Sequence, residues 1–165
     1  MKPETTRTVF DGKKIEVDVE VWDGAEKEIV RHPGAVAIAA VDDDGCVTLV
    51  RQLREPTRKL LLELPAGTRE EGEEPLATAQ RELAEEAGLT GGDWSLAARF
   101  YSTPGFCDEV VWLYVARGVE RGEAAPEEDE EIELERIPLA EIESRLDEIE
   151  DAKTLVGLLF LVRGR

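Results

Sequence analysis

A chain of 165 residues with 42% hydrophobic side chains can bury one core but leaves little room for a second domain, so one domain over residues 1–165 is expected. With 38 acidic against 20 basic residues the net charge is −18, which argues against a nucleic-acid backbone or an anionic membrane surface as a partner. Lysine is scarce, six residues against fourteen arginines, a bias that a salt-adapted surface or a skewed nucleotide composition would equally produce.

From the N-terminus, MKPETTRTVF has no apolar core of the kind a secretory leader needs. The alternation of Ile15 to Trp22 (IEVDVEVW), the turn at Asp23-Gly24 and a short extended piece from Glu28 to Arg31 predict an N-terminal antiparallel hairpin. A second hairpin is predicted from Ala35–Val41 and Val47–Leu53 around Asp42-Asp43-Asp44-Gly45. Those aspartates lack the spacing and closing glutamate of an EF-hand, so they read as a solvated turn. Leu60 to Leu64 is a further extended run leading into Pro65-Ala66-Gly67.

Glu74 to Ala87 contains good helix formers apart from Thr78 and Pro75, and a proline in the first turn loses nothing because its N–H would be unpaired there anyway. On that helix Leu76, Ala79, Leu83 and Ala87 form one apolar stripe, with Glu82, Glu85 and Glu86 on an arc of roughly 100° beside it. Like charges at these offsets repel. Arg81 can pair with Glu85 one turn on, but one guanidinium cannot neutralise three carboxylates, and a hard divalent cation could.

Leu96–Tyr101 and Val110–Ala116 are predicted strands separated by Ser102 to Glu109, and Arg117 to Glu128 reads as a polar surface loop. Glu131 to Ile137 alternates as a strand, Pro138 is expected to open an amphipathic helix through Ile149, and Asp151 to cap a last helix ending near Arg163. The longest apolar run, Leu155 to Val162, is interrupted by Gly157 and too short to span a bilayer. Cys46 and Cys107 stand in no CxxC pair and His32 is the single histidine, which argues against a zinc site; both thiols are expected to be buried or incidental. A soluble cytoplasmic protein is the expectation.

Gly67, Glu73 and the run Arg81-Glu82-Leu83-Ala84-Glu85-Glu86-Ala87-Gly88-Leu89 fall at the spacing G-x5-E-x7-R-E-U-x-E-E-x-G-U, with U aliphatic. That is the Nudix box without a departure, and the chain resembles the Nudix hydrolase superfamily. The resemblance implies an α/β/α sandwich with a mixed sheet, and hydrolysis of nucleoside diphosphates linked to another moiety with Mg²⁺ or Mn²⁺. Pro104 stands sixteen positions after Gly88, within Ser102-Thr103-Pro104-Gly105-Phe106-Cys107-Asp108-Glu109. This run resembles the ADP-ribose pyrophosphatase branch, as do Arg31-His32-Pro33-Gly34, Gln52-Leu53-Arg54-Glu55-Pro56 and Glu63-Leu64-Pro65-Ala66-Gly67.

The resemblance implies metal binding by Glu82, Glu86, Glu85 and the Ala66 carbonyl, with Glu85 also counted among the catalytic residues. Metal ions there would neutralise a diphosphate and lower the pKa of a bound water, whose attack on ADP-ribose releases AMP and ribose 5-phosphate. In the acidic run from Ala125 to Glu133, Glu128 is the favoured general base and Glu130 an additional metal ligand, and a two-residue slip would exchange them. Arg54 is assigned to the substrate phosphate or terminal ribose, against the competing reading of a salt bridge with Glu55 or Glu63. Phe106 and Gly105 belong to the substrate loop, Glu109 accepts from sugar hydroxyls, Lys27 or Arg31 reaches the adenine side, and Trp22 stacks on it. Gly67, Glu73, Arg81, Gly88 and Pro104 are structural. The branch also implies a homodimer, with residues 1–32 in dimerisation and 33–165 as the catalytic core. The box leaves two alternatives open: a hydrolase of another nucleotide sugar or dinucleotide such as a GDP-sugar or NADH, and a non-catalytic Nudix ligand sensor.

Overall fold

The computed structural model describes residues 1–122 and 132–164. Among these residues ten strands and three helices follow in the order β1 (Thr5–Asp11), β2 (Glu16–Trp22), β3 (Ala25–Arg31), β4 (Ala35–Val41), β5 (Cys46–Arg54), β6 (Lys59–Glu63), β7 (Ala66–Thr68), α1 (Pro75–Ala87), β8 (Leu89–Tyr101), β9 (Val110–Arg121), β10 (Glu133–Pro138), α2 (Ile142–Arg145) and α3 (Ala152–Arg163). None of these helices is long and apolar enough to cross a membrane.

Strand β4 is the centre of the molecule. Its sequence AVAIAAV is apolar on both faces, the pattern of a strand covered from both sides. Ala37, Ala39 and Val41 belong to one buried cluster with Leu158 and Leu161 of α3, while Val36, Ile38 and Ala40 belong to another with Ala79, Leu83 and Ala87 of α1. Two helices on opposite faces of one sheet give the expected α/β/α layering. The sheet is mixed: it runs β10-β5-β4-β9-β8, β4 and β9 are parallel from Ala35↔Val111 to Val41↔Arg117, and β6 and β7 add to β5 and β4.

Three sequence expectations are corrected. The N-terminal hairpin is a three-stranded antiparallel sheet, β1-β2-β3. Strand β1 has all seven residues exposed, so no burial alternation marked it in the sequence. Residues 117–121 are strand, because β9 continues alongside β8 from Asp93↔Arg117 to Leu89↔Arg121, and Val119 buries itself next to Leu89 against α1. The polar residues Arg117, Glu120 and Arg121 around the buried Val119 disguised the end of a strand as a loop. Finally, the helix expected from Pro138 to Ile149 is broken into a 3₁₀ turn at Leu139–Glu141, the four residues of α2, and another 3₁₀ turn at Leu146–Glu148. The Ser144 hydroxyl donates back to the Glu141 carbonyl at 2.8 Å, a local bond that competes with regular helix.

Helix α3 is fixed at its start. Asp151 caps it, accepting from the Thr154 N–H at 2.9 Å and the Thr154 hydroxyl at 2.6 Å. The same hydroxyl accepts from the buried Leu64 N–H at 2.8 Å, which ties α3 to the chain between β6 and β7. Replacing Thr154 by Val leaves the Leu64 N–H buried without its acceptor, and the expected cost is about 1–3 kcal/mol of unfolding free energy. Chemical denaturation of Thr154→Val against wild type measures it; an unchanged midpoint would remove Thr154 as a fastening.

Candidate active site

The box is built where α1 crosses β7. Helix α1 has Pro75 at its first position and ends at Gly88, whose φ of 61° and ψ of 31° are the left-handed conformation that a side chain disfavours. Thr78, Ala79, Leu83, Glu86 and Ala87 are its buried residues, whereas Leu76, placed in the apolar stripe by periodicity, is exposed. The helix therefore buries a carboxylate within its core face. That group, Glu86, accepts a hydrogen bond from the Ala66 N–H at 3.0 Å and is only 5% exposed.

Glu82 lies against the next residue of β7. A Cβ on Gly67 would stand 1.9 Å from the Glu82 carboxyl carbon, so glycine is required for this approach. Arg81 organises the outer carboxylates: its Nη1 lies 2.9 Å from Glu82 Oε1 and 2.8 Å from Glu85 Oε2, and its Nε and Nη2 each lie 3.3 Å from Glu73. The Glu73 bond, with the other carboxylates, raises the guanidinium pKa further above its ordinary value, and Arg81 in turn holds Glu73 below the usual carboxylate range.

Glu82, Glu86 and the Ala66 carbonyl offer only hard oxygen donors on one short stretch of backbone. Among the described residues no three His, Cys, Asp or Glu are gathered closely enough to cage a metal unaided, and Glu85 is turned to Arg81. This set fits Mg²⁺ or Mn²⁺, since Mg²⁺ is commonly held by one or two carboxylates together with water and substrate phosphates. Glu128 and Glu130, the expected base and additional ligand, lie outside the described residues.

A cleft of about 470 Å³ opens beside this point, lined by Ala66, Gly67, Arg54, Ser102, Glu109 and Lys153 among others. Arg54 grips Glu63 with two bonds of 2.8 Å through Nε and Nη2, and Lys153 Nζ reaches the same carboxylate at 2.5 Å. Glu63 is 1% exposed. Burial works to raise its pKa, but Arg54 and Lys153 together outweigh burial and hold it below the ordinary 4.5. Arg54 thus forms the salt bridge with Glu63 that was its competing reading, and it also lines the cleft. Lys153 was missed, as nothing in the spacing of the last helix pointed to it, whereas Ser102, at the start of the run whose resemblance was noted, lines the cleft together with the neighbouring Tyr101.

The other expected substrate residues gather elsewhere. Trp22, Lys27, Gly105 and Phe106 line a hollow of about 1110 Å³ together with Val17, Val19 and Ile29. Trp22 Nε1 donates to Glu20 at 2.7 Å. Arg31 is not among them. It pairs with Asp18 at 3.0 Å, with Glu20, and with Asp108 at 3.1 Å, and faces a shallow concavity beside Lys13, Lys14 and His32. It ties β2 to the loop of residues 102–109. That loop is fastened further by the Val30 N–H on the Phe106 carbonyl at 2.7 Å and the Asp108 N–H on the Val30 carbonyl at 3.1 Å. Pro104 sits in its turn, which the Phe106 and Cys107 N–H groups close on Thr103, and Ser102 N–H meets the Glu109 carbonyl at its base. The cysteines are free and half-buried.

A family model described as "NUDIX domain" matches residues 30–157. The chain belongs to the Nudix family. Its relatives include "ADP-ribose pyrophosphatase" of Bacillus subtilis (strain 168), 42% identical over 93% of this chain and 88% of that protein. "Methanol dehydrogenase activator" of Bacillus methanolicus is 39% identical over 94% and 89%. A solved structure described as "Crystal structure of ADP compounds hydrolase" superposes with a TM-score of 0.82, covering 99% of this chain and 92% of that one; at 24% identity it shows the Nudix fold alone.

Two outcomes follow from this geometry. Gly67→Ala must drive the Glu82 carboxylate off β7, and the expected loss is about 10–100-fold in divalent-metal affinity with little change in melting temperature, read by calorimetric titration with Mn²⁺. Because the Glu63 pKa is lowered on folding, its ionisation stabilises the fold above the ordinary value of 4.5 and ceases to do so as pH falls through the depressed folded value. The stability difference between wild type and Glu63→Gln should therefore be largest near neutral pH and shrink in acid; a gap that widens below pH 4.5 would contradict the assignment.

Proposed function

We propose that this Nudix chain hydrolyses the diphosphate of ADP-ribose to AMP and ribose 5-phosphate with Mg²⁺ or Mn²⁺. The observation that carries the reading is the convergence of Glu82 and Glu86 on the Ala66–Gly67 backbone at the wall of a cleft that also contains Arg54 and Glu109. The name of the Bacillus subtilis relative, at 42% identity over most of both chains, favours ADP-ribose among the diphosphates that the box could serve.

A divalent cation bound by these carboxylates would neutralise phosphate charge and make a bound water acidic enough to attack phosphorus. The chain's own residues supply the rest. Glu82 and Glu86 hold the cation; Arg81 keeps Glu82 and Glu85 from splaying apart under mutual repulsion; Arg54 presents a guanidinium to the anionic substrate; Glu109 accepts from ribose hydroxyls. Trp22 and Phe106 offer flat apolar faces to the adenine in the hollow that also contains Lys27. Glu128 is the base we favour, with Glu130 as its alternative and otherwise a further ligand. In phosphoryl transfer such positioning and charge stabilisation carry most of the acceleration.

We infer a homodimer formed through residues 1–32. In support, β1 presents seven exposed residues that include Val9 and Phe10, an apolar surface on a small outer sheet. Sedimentation at working concentration should give twice the chain mass of 18.3 kDa, and a monomer would refute the assembly.

The substrate is tested by incubating the protein and Mg²⁺ with ADP-ribose, NADH, diadenosine polyphosphates and nucleotide sugars. ADP-ribose should be consumed fastest, with AMP and ribose 5-phosphate as products. Exclusive turnover of a GDP-sugar would displace ADP-ribose, and binding without hydrolysis would favour a sensor. Glu82→Gln and Glu86→Gln should each lower turnover by orders of magnitude while leaving the fold intact by circular dichroism; near wild-type turnover of Glu82→Gln at saturating Mg²⁺ would remove the metal site.

A further inference from the structure

Glu63 is the most thoroughly buried charge in the described part of the molecule, at 1% exposure, and both of its cation partners line the proposed substrate cleft. Two cations from distant elements close on it. Arg54, at the end of β5, uses Nε and Nη2 in a planar two-bond fork, while Lys153, in the first turn of α3, is held by Glu63 Oε2 at 2.5 Å and by the cap residue Asp151 at 3.0 Å. A guanidinium carries five N–H donors, so the two committed to Glu63 leave donors on a group that lines the cleft. The fork also fixes the plane of the guanidinium, which a single bond would not. A buried carboxylate shared by two cations needs both, because removing one leaves its charge undercompensated.

We propose that Glu63 and Lys153 are positioning residues that set the guanidinium of Arg54 for the substrate's phosphate: Glu63 fixes its plane, and Lys153, through the capped start of α3, fixes Glu63. The inference rests on the proposed hydrolysis of a nucleoside diphosphate. It assigns the α3 N-terminal turn to substrate binding, although that turn lies outside the box and outside the substrate loop.

The test is a double-mutant cycle read on KM and kcat for ADP-ribose with Glu63→Gln, Lys153→Met and Arg54→Ala. Glu63→Gln should raise KM about tenfold with kcat changed much less, and Lys153→Met should raise it by a smaller factor. In the Arg54→Ala background neither should raise KM further, since both act through Arg54. Lys153→Arg should restore most of the loss in Lys153→Met. Because Glu63→Gln can weaken the fold, Lys153→Met, which changes a half-buried side chain and keeps the Arg54 fork on Glu63, carries the test independently. A second readout needs no turnover: phenylglyoxal should modify Arg54 several-fold faster in either variant than in wild type, followed by mass spectrometry. Wild-type inactivity on ADP-ribose with faster Arg54 modification in the variants would sink the substrate and keep the positioning. Equal KM increases with and without Arg54, or an unchanged modification rate, would overturn the positioning itself.

Discussion

The approach of α1 to β7 is the constraint on which the rest of the site depends. A helix normally turns its carboxylates to water, yet here Glu86 is buried on the core face and takes a backbone N–H of β7 as its partner, while Glu82 occupies the space a side chain on Gly67 would need. Both contacts require the helix to sit close against the strand, and the helix can do so because Ala79, Leu83 and Ala87 give it a narrow apolar face against Val36, Ile38 and Ala40. The small residues of α1, Ala79 and Ala87, thus serve the site indirectly: they let the layers approach until two acidic side chains reach the same stretch of backbone.

Charge is the second governing condition. A chain of net charge −18 is an unfavourable host for the diphosphate proposed as its substrate, and these cations are engaged with its own carboxylates: Arg54 and Lys153 at the cleft with Glu63, Arg81 with Glu73, Glu82 and Glu85, and Arg31, in a separate concavity, with Asp18, Glu20 and Asp108. These pairs orient more than they attract. A divalent cation held by Glu82 and Glu86 would offset that negative charge at short range, where solvent screening is weakest. The arginine excess suits the arrangement, because a planar fork can keep a carboxylate in place with one edge and still present donors from another.

The N-terminal sheet and the loop of residues 102–109 are fastened together. Arg31 joins Asp18 and Glu20 of β2 to Asp108 of the loop, and Val30 exchanges backbone hydrogen bonds with Phe106 and Asp108. The hollow containing Trp22 and Phe106 is therefore shaped by strands that precede the family-matched region as well as by the loop within it. Arg31, whose chemistry would suit an anionic ligand, is engaged by three carboxylates in this structure.

Local sequence determined the box helix, its proline start and glycine end, the cap at Asp151, both arms β4 and β5, and the set of carboxylates beside Arg81, because each depends on spacing within a turn or a strand. Where burial did not alternate, the sequence was silent: β1 is exposed throughout, and residues 117–121 look polar although Val119 anchors them against α1. Tertiary structure alone decided which cation meets which carboxylate. Lys153 and Arg54 converge on Glu63 from 90 and nine positions away, and Arg31 meets Asp108 across 77. Such long-range pairings are fixed by how the layers stack, a property of the whole core that no short window of residues contains.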